Sequence, residues 1–191
     1  MTSESFSKIV SHLDRELWLI TSRSGGRQSG LIVTYVSSVS LVPSLPRVTI
    51  ALAKHHFTHE LISQSKSFCM HLISEQQIDW VWHFGIQTGR DTHKLGPFTT
   101  GISRTGAPVL TQALAWADCR VEAKLDIGDR TLFLGEVLDA NLQQGARPLT
   151  FKRLLEIAPP DKLAELKSAM QHDIEVDRLA ILDWRRGEIV P

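Results

Sequence analysis

The chain has 191 residues, enough to bury one substantial core and slightly more than a single β-barrel needs, so one domain with an appendage is expected. Lys+Arg and Asp+Glu both total 21, which leaves no overall field to draw in nucleic acid or an anionic membrane surface, and any anion must be held by local charge. Residues Met1 to Ser5 are polar, unlike a signal peptide, and no apolar run approaches the roughly 18 to 20 residues of a membrane span, so a cytoplasmic protein is expected.

Glu16 to Ser22 carries Trp18 and Ile20 and reads as a strand. Ser24-Gly25-Gly26-Arg27 supplies turn residues before a longer run from Gln28 to Leu41, and the pair reads as a β-hairpin. Val48 to Ala53 is a third strand, entered past Pro43 and Pro46. Thr58 is able to start a short helix that has Glu60 in its first turn and continues to Ser65. Ser67 to Ser74 alternates Phe68, Met70 and Leu72 with Cys69, His71 and Ile73, the pattern of a strand with at least one well-buried face. A second short helix begins at Glu75 and carries Trp80 and Phe84. Gly85 to Gly106 is rich in glycine, threonine and basic residues and long for a structureless connection, which marks a candidate functional loop.

Two further strands, Cys119 to Ile127 and Arg130 to Asn141, are joined by Gly128-Asp129. Cys69 and Cys119 lie in strand-like runs without Cys-x-x-Cys spacing and read as buried free thiols. After Pro159-Pro160, the segment Asp161 to Leu182 places Leu163, Leu166, Met170 and Ile174 at steps of three and four, an amphipathic helix with an Asp cap. That helix covers either its own barrel or a subunit boundary. Strands dominate the chain up to Asn141 with few long crossovers, which fits an antiparallel barrel better than a doubly wound parallel sheet.

Two polar constellations stand out. In Thr34-Tyr35-Val36-Ser37-Ser38-Val39-Ser40, strand alternation puts Thr34, Ser38 and Ser40 on one face and Ser37 on the other. Hydroxyls in an apolar strand either have partners, such as a ligand, or fill a sheet edge. In Lys54-His55-His56-Phe57-Thr58-His59, a helix N-terminus adds free N–H groups and the positive end of its dipole to a lysine and a hydroxyl, which suits a phosphate; the alternative is an ordinary capped helix start. His55 and His59 stand four apart, but no glutamate follows the His-Glu-x-x-His pattern and the helix start falls between them, so no metal site is expected. No nucleophile elbow, Walker motif or dinucleotide glycine pattern is present.

The chain resembles the flavin reductase-like family of FMN-binding split barrels over about residues 6–150. The resemblance is carried by Gly30, Ser38-Val39-Ser40-Leu41-x-Pro43, Lys54 with Thr58-His59-Glu60-Leu61-Ile62, and Gly106-Ala107-Pro108-Val109-Leu110 leading to Ala113-Leu114-Ala115-Trp116-x-x-Cys119. Gly128-Asp129 and Leu132-Phe133-Leu134-Gly135-Glu136-Val137 complete the series. It implies a mainly β fold, a split barrel with short peripheral helices over residues 1–155, followed by a C-terminal helical extension over 156–191. It also implies a homodimer with FMN, or in some members FAD, near the subunit interface. In the family the strand matching Thr34, Tyr35, Val36, Ser37 and Ser38, with Ser40 beyond it, lies along the isoalloxazine ring, while the segment matching Ala53, Lys54, His56 and Thr58 holds the phosphate. The usual activity is hydride transfer from NAD(P)H to flavin, often to supply a partner monooxygenase.

Three departures bear on that activity. Gly128-Asp129-Arg130 replaces the family's usual Gly-Asp-His, whose histidine lies near the nicotinamide, so Arg130 is the candidate catalytic residue and a candidate contact for a phosphate or carboxylate of another reductant or substrate. His56 stands where many members carry a small hydroxyl residue, and as a neutral imidazole it still donates one hydrogen bond. Thr150 to Leu155 replaces a Gly-x-Tyr segment near the pocket. The first expectation is therefore an NAD(P)H-dependent FMN reductase. The alternative is a flavin-binding redox module that takes electrons from a protein partner or acts on a small substrate.

Overall fold

A computed structural model describes residues 2–143 and 145–188; Met1, Gln144 and residues 189–191 lie outside them. Helix α1 (Thr2–His12) precedes strands β1 (Trp18–Ser24), β2 (Arg27–Val33), β3 (Val36–Ser38) and β4 (Arg47–Ala53), helix α2 (Phe57–Ser65) and strand β5 (Ser67–Leu72). A 3-10 turn at Glu75–Gln77 leads into α3 (Ile78–Gly85). The short strands β6 (Gly101–Ile102) and β7 (Pro108–Val109), the long strands β8 (Ala115–Asp126) and β9 (Arg130–Leu142), and helices α4 (Phe151–Ile157) and α5 (Pro160–Glu188) complete the chain.

Seven strands form one antiparallel sheet in the order β2-β1-β5-β8-β9-β4-β3. The two edge strands, β2 and β3, are consecutive in sequence and separated only by Thr34 and Tyr35. The three steps from Val33 to Val36 span no more than about 11 Å, so the sheet must curl until these strand ends come together, which gives it the shape of a split barrel. The single strand expected from Gln28 to Leu41 is thus divided. Val33 pairs with Trp18, the first residue of β1, and the chain then crosses to pair Val36 with Ile50 on the opposite edge.

The β1–β2 hairpin turns at Gly25 and Gly26, both with positive φ (56° and 78°), as a two-residue loop between right-twisted strands requires. Strand β1 is buried on both faces. Ile20 points into the barrel with Ile50, Phe68, Cys119 and Phe133, while Leu19 packs outward against Trp80, Phe84 and Leu95. Cys69 and Cys119 are buried free thiols, and burial raises both pKa values.

The 85–106 connection is pinned down. Lys94 is 4% exposed, and its ammonium donates to the carbonyls of Gly30 (3.2 Å) and Phe84 (2.8 Å). Burial lowers its pKa to about 8. Farther on, the Thr105 N–H and hydroxyl donate to the buried Asp118 carboxylate at 2.9 and 2.5 Å. Helices α1 and α4 are additions to the expected elements, although Phe6, Ile9 and Val10, and Phe151, Leu154 and Leu155, repeat at helical spacing. Helix α5 begins at Pro160, with Asp161 in its first turn rather than at the cap, because proline suits the first helical position, where no N–H partner is needed.

Candidate functional site

Strands β4 and β9 pair so that Ala53 lies opposite Arg130, and the Lys54 N–H donates to the Asp129 carbonyl (2.9 Å). This register carries the chain from β4 directly into α2 beside the β8–β9 turn. On the other side of β4, the Ala51 N–H donates to the Tyr35 carbonyl (3.0 Å). Tyr35, the Lys54 segment and Arg130 therefore meet at one end of β4, although they are far apart in sequence, while Ser37 and Ser38, opposite Thr49 and Val48, run toward its other end. The Arg130 guanidinium carbon stands 5.3 Å from the centre of the Tyr35 ring, with Arg15 at 5.2 Å.

Helix α2 begins at Phe57, and its cap residue, His56, makes no side-chain capping hydrogen bond. The first-turn amides have no acceptor from the cap residue's side chain, which is the condition under which a helix end takes an anion. Thr58 is not the start of this helix as expected; it sits within the first turn and is 2% exposed. Lys54 pairs with Asp126 (2.5 Å). Two cations absent from the sequence reading also reach this helix end: Arg27 lies 4.0 Å and Arg90 5.5 Å from the centre of the Phe57 ring. Arg90 also pairs with Glu60 (2.8 Å). Beneath them the buried Ser29 hydroxyl has no hydrogen-bond partner. A helix end without a side-chain cap, with Arg27 and Arg90 beside Phe57 and Lys54 three residues before it, has the chemistry to hold a phosphate such as that of FMN.

The serines differ from their expectation. Ser37 and Ser38 are exposed and Thr34 and Ser40 half-buried, so burial exerts little pressure on these hydroxyls in the single chain. With the run broken at Tyr35, Thr34 no longer alternates in register with Ser38. Ser37 donates to the neighbouring Ser38 carbonyl (3.2 Å), and the Ser40 hydroxyl accepts from the Val42 N–H (3.1 Å). Val36 is half-buried against the barrel core.

The histidines separate into two groups. His59 turns to the Thr131 hydroxyl (2.8 Å) and the Phe133 ring, away from His55. His55 and His56 instead face α5, where Asp173 lies 3.1 Å from His55 Nε2 and 3.9 Å from His56 Nε2. Burial, reinforced by the His55 charge, lowers the His56 pKa to about 4, so near neutral pH it is the neutral imidazole expected. Asp177, one turn farther along, forms an ion pair with Arg130, whose Nε also meets Asp129 (3.0 Å). Burial raises the Asp177 pKa despite the attraction of Arg130. The Trp184 side chain closes over Gly128, whose positive φ (97°) turns β8 into β9. Helix α5 thus covers its own barrel. Its first half docks through Leu166 on the outer apolar cluster beside α3, and farther along Asp173 and Asp177 meet the charged ends of β4 and β9, while Met170 and Ile174 stay exposed.

A concavity of about 310 Å³, lined by residues that include Arg23, Gln28, His93 and Ile102, shares no residue with this cluster. No described helix is long and apolar enough to cross a membrane.

A family model described as the flavin reductase like domain matches residues 10–154. The ferric-chelate reductase (NAD(P)H) of Archaeoglobus fulgidus is 29% identical over 153 residues, covering 79% of this chain and 87% of that protein. The high molecular weight rubredoxin of Moorella thermoacetica is 26% identical over 147 residues, covering 76% of this chain but 63% of its own length. Among solved structures, the flavin reductase PheA2 superposes with a TM-score of 0.66 at 27% identity, covering 79% of this chain and 94% of its own.

Proposed function

Because the chain belongs to the family of flavin reductase like domains, we propose that it is an NAD(P)H-dependent flavin oxidoreductase that holds FMN where β3, β4, α2 and β9 converge. The observation that carries the reading is the uncapped N-terminus of α2, approached by Arg27 and Arg90 and placed at the end of β4 that also holds Tyr35 and Arg130. The flavin supplies hydride-accepting chemistry when bound. The chain's own residues do the rest. The first-turn amides with Lys54, His56 and Thr58 hold the phosphate, residues 34–38 with Ser40 flank the ring, and Arg130 orients the reductant. The reading divides the chain into a flavin domain over 1–155 and an extension over 156–191, in keeping with a family match that ends at 154.

Purified protein is expected to be yellow and to bind FMN at least about tenfold more tightly than riboflavin, since charge-assisted bonds to the phosphate contribute about 1.5–3 kcal/mol each. Rapid-mixing bleaching by NADH or NADPH then tests the reductase assignment. Colourless protein that rejects FMN overturns the flavin site; flavin that neither nucleotide reduces overturns the enzyme assignment alone.

One observation favours the second reading, a flavin module reduced by a protein partner or acting on a small substrate. Arg130 is already engaged by Asp177 at the position where a nicotinamide contact is expected. The match to 63% of the length of a protein named a high molecular weight rubredoxin supports a redox partner for this chain.

The assembly is a homodimer. Tyr35, Val39, Leu41, Val42 and Leu45 expose large apolar side chains along the edge at β3, with Leu41 fully exposed, and a second subunit would cover them. Sedimentation is expected to give a two-subunit mass, and Leu41→Asp with Leu45→Asp to give monomers with weakened FMN binding. A monomeric wild type with full flavin affinity contradicts this.

A further inference from the structure

We propose that His55 Nε2, His56 Nε2 and a carboxylate oxygen of Asp173 form a binding site for a transition-metal dication of the Zn²⁺ class. The three side chains bring ligand atoms within 4.8 Å of one another. Tetrahedral zinc with bonds of about 2.0–2.1 Å needs its donors about 3.3 Å apart. His55 Nε2 lies 3.1 Å from Asp173 Oδ1 and His56 Nε2 3.9 Å from Asp173 Oδ2, so one carboxylate faces both imidazoles at separations near that value.

A second, independent observation points to a metal rather than a simple ion pair. A histidine that ligates through one ring nitrogen ordinarily donates the other N–H to a carboxylate, which fixes its orientation. His55 Nδ1 faces Asp177 Oδ1 at 3.6 Å, and that buried oxygen has no hydrogen-bond partner. The other Asp177 oxygen is held by Arg130, so the carboxylate is already fixed in place. His55 therefore has an outer partner on one nitrogen and two prospective co-ligands, Asp173 and His56, at the other.

The ligand set selects the ion. Two imidazoles and one carboxylate suit Zn²⁺, Ni²⁺ or Co²⁺, whereas Mg²⁺ and Ca²⁺ prefer all-oxygen cages. The ligand side chains remain 28–39% exposed, which leaves an entry path and room for water in the fourth position. The site joins β4–α2 to a helix outside the family match and shares His56 with the proposed phosphate contacts, so metal binding is to be read both with and without FMN.

The test uses tag-free, full-length protein stripped with chelator, with and without FMN, titrated calorimetrically with ZnCl₂. One Zn²⁺ per chain is expected, with no heat from MgCl₂. Asp173→Asn and His56→Ala should each weaken binding about tenfold or more, and Asp177→Asn about tenfold through the outer contact. Circular dichroism checks that each variant is folded. Wild-type protein loaded with Co²⁺ should show the intense visible bands of tetrahedral coordination. Zn²⁺ binding that does not saturate at one per chain, unchanged affinity in folded Asp173→Asn, or an octahedral Co²⁺ spectrum overturns the proposal. Loss of FMN binding alone leaves it standing.

Discussion

Between pH 6.5 and 4 the folded protein is expected to lose roughly 3 kcal/mol of stability through His71 alone. This side chain is fully buried, with Nδ1 3.0 Å from the Leu19 carbonyl and Nε2 accepting the Leu110 N–H at 3.0 Å. Only the neutral tautomer protonated at Nδ1 satisfies both bonds, because a second proton would set N–H against N–H. Burial, the dominant cause, therefore pushes its pKa down to about 4 from an ordinary 6.5. In that interval the unfolded chain binds the proton more readily than the folded one, so stability is complete above 6.5, falls as the pH drops, and levels off below 4. The half-buried His56 adds loss of the same sign. Urea unfolding across this range reads the slope. His71→Gln, which keeps one donor and one acceptor without a titrating nitrogen, should cost about 1–3 kcal/mol at neutral pH and flatten the dependence. An unchanged slope would show that His71 is not its source.

Removing the Arg130 side chain is the second large perturbation. Arg130→Ala strands the Asp177 carboxylate, which is 9% exposed, without its cation. Breaking a fully buried pair from one side costs about 3–5 kcal/mol; the remaining exposure of Arg130 and the ability of Asp177 to take up a proton reduce this to about 2–3 kcal/mol. The Arg130→Ala, Asp177→Asn double variant should recover more than half of the loss, and a double variant no more stable than the single one refutes the pairing. Arg130→His separates docking from chemistry. It should loosen α5 and, by restoring the family's histidine, quicken flavin bleaching by NADH or NADPH about tenfold or more. Reduced stability with an unchanged bleaching rate assigns Arg130 to docking α5 alone.

What could be read from the sequence was the part governed by short-range pattern. The alternation around Phe68 and Met70, the Gly25-Gly26 turn, and the short helix after Ala53 each follow from neighbouring residues. The break at Thr34-Tyr35 did not, because nothing local says that Val36 will leave the β1 edge and pair with Ile50. The candidate site followed the same rule. Lys54, His56 and Thr58 form one contiguous segment and were visible together. Arg27 and Arg90 reach Phe57 from a hairpin tip and a loop, and Asp173 and Asp177 from the last helix, so only the tertiary fold brings them in. Their one sequence signal was the four-residue spacing of two aspartates on one helix face, which solvent-facing helices also show. Lys94 was equally hidden, since a lysine in a polar loop carries no mark of burial.

The pairing of β4 with β9 joins residues 47–53 to residues 130–136, and His55 meets Asp173 across 118 positions. During synthesis the segment from Lys54 to Thr58 therefore emerges from the ribosome well before the strand that anchors it, and earlier still than the helix that covers it. A nascent chain cannot gain stability from a ligand at this segment until β9 is available, so the long-range closure must form on barrel packing alone. The histidine pair then waits for α5 to be translated. The order of emergence gives the protein an assembly sequence, with the barrel before the helix, and the contacts around Arg130 completed only after α5 has been made.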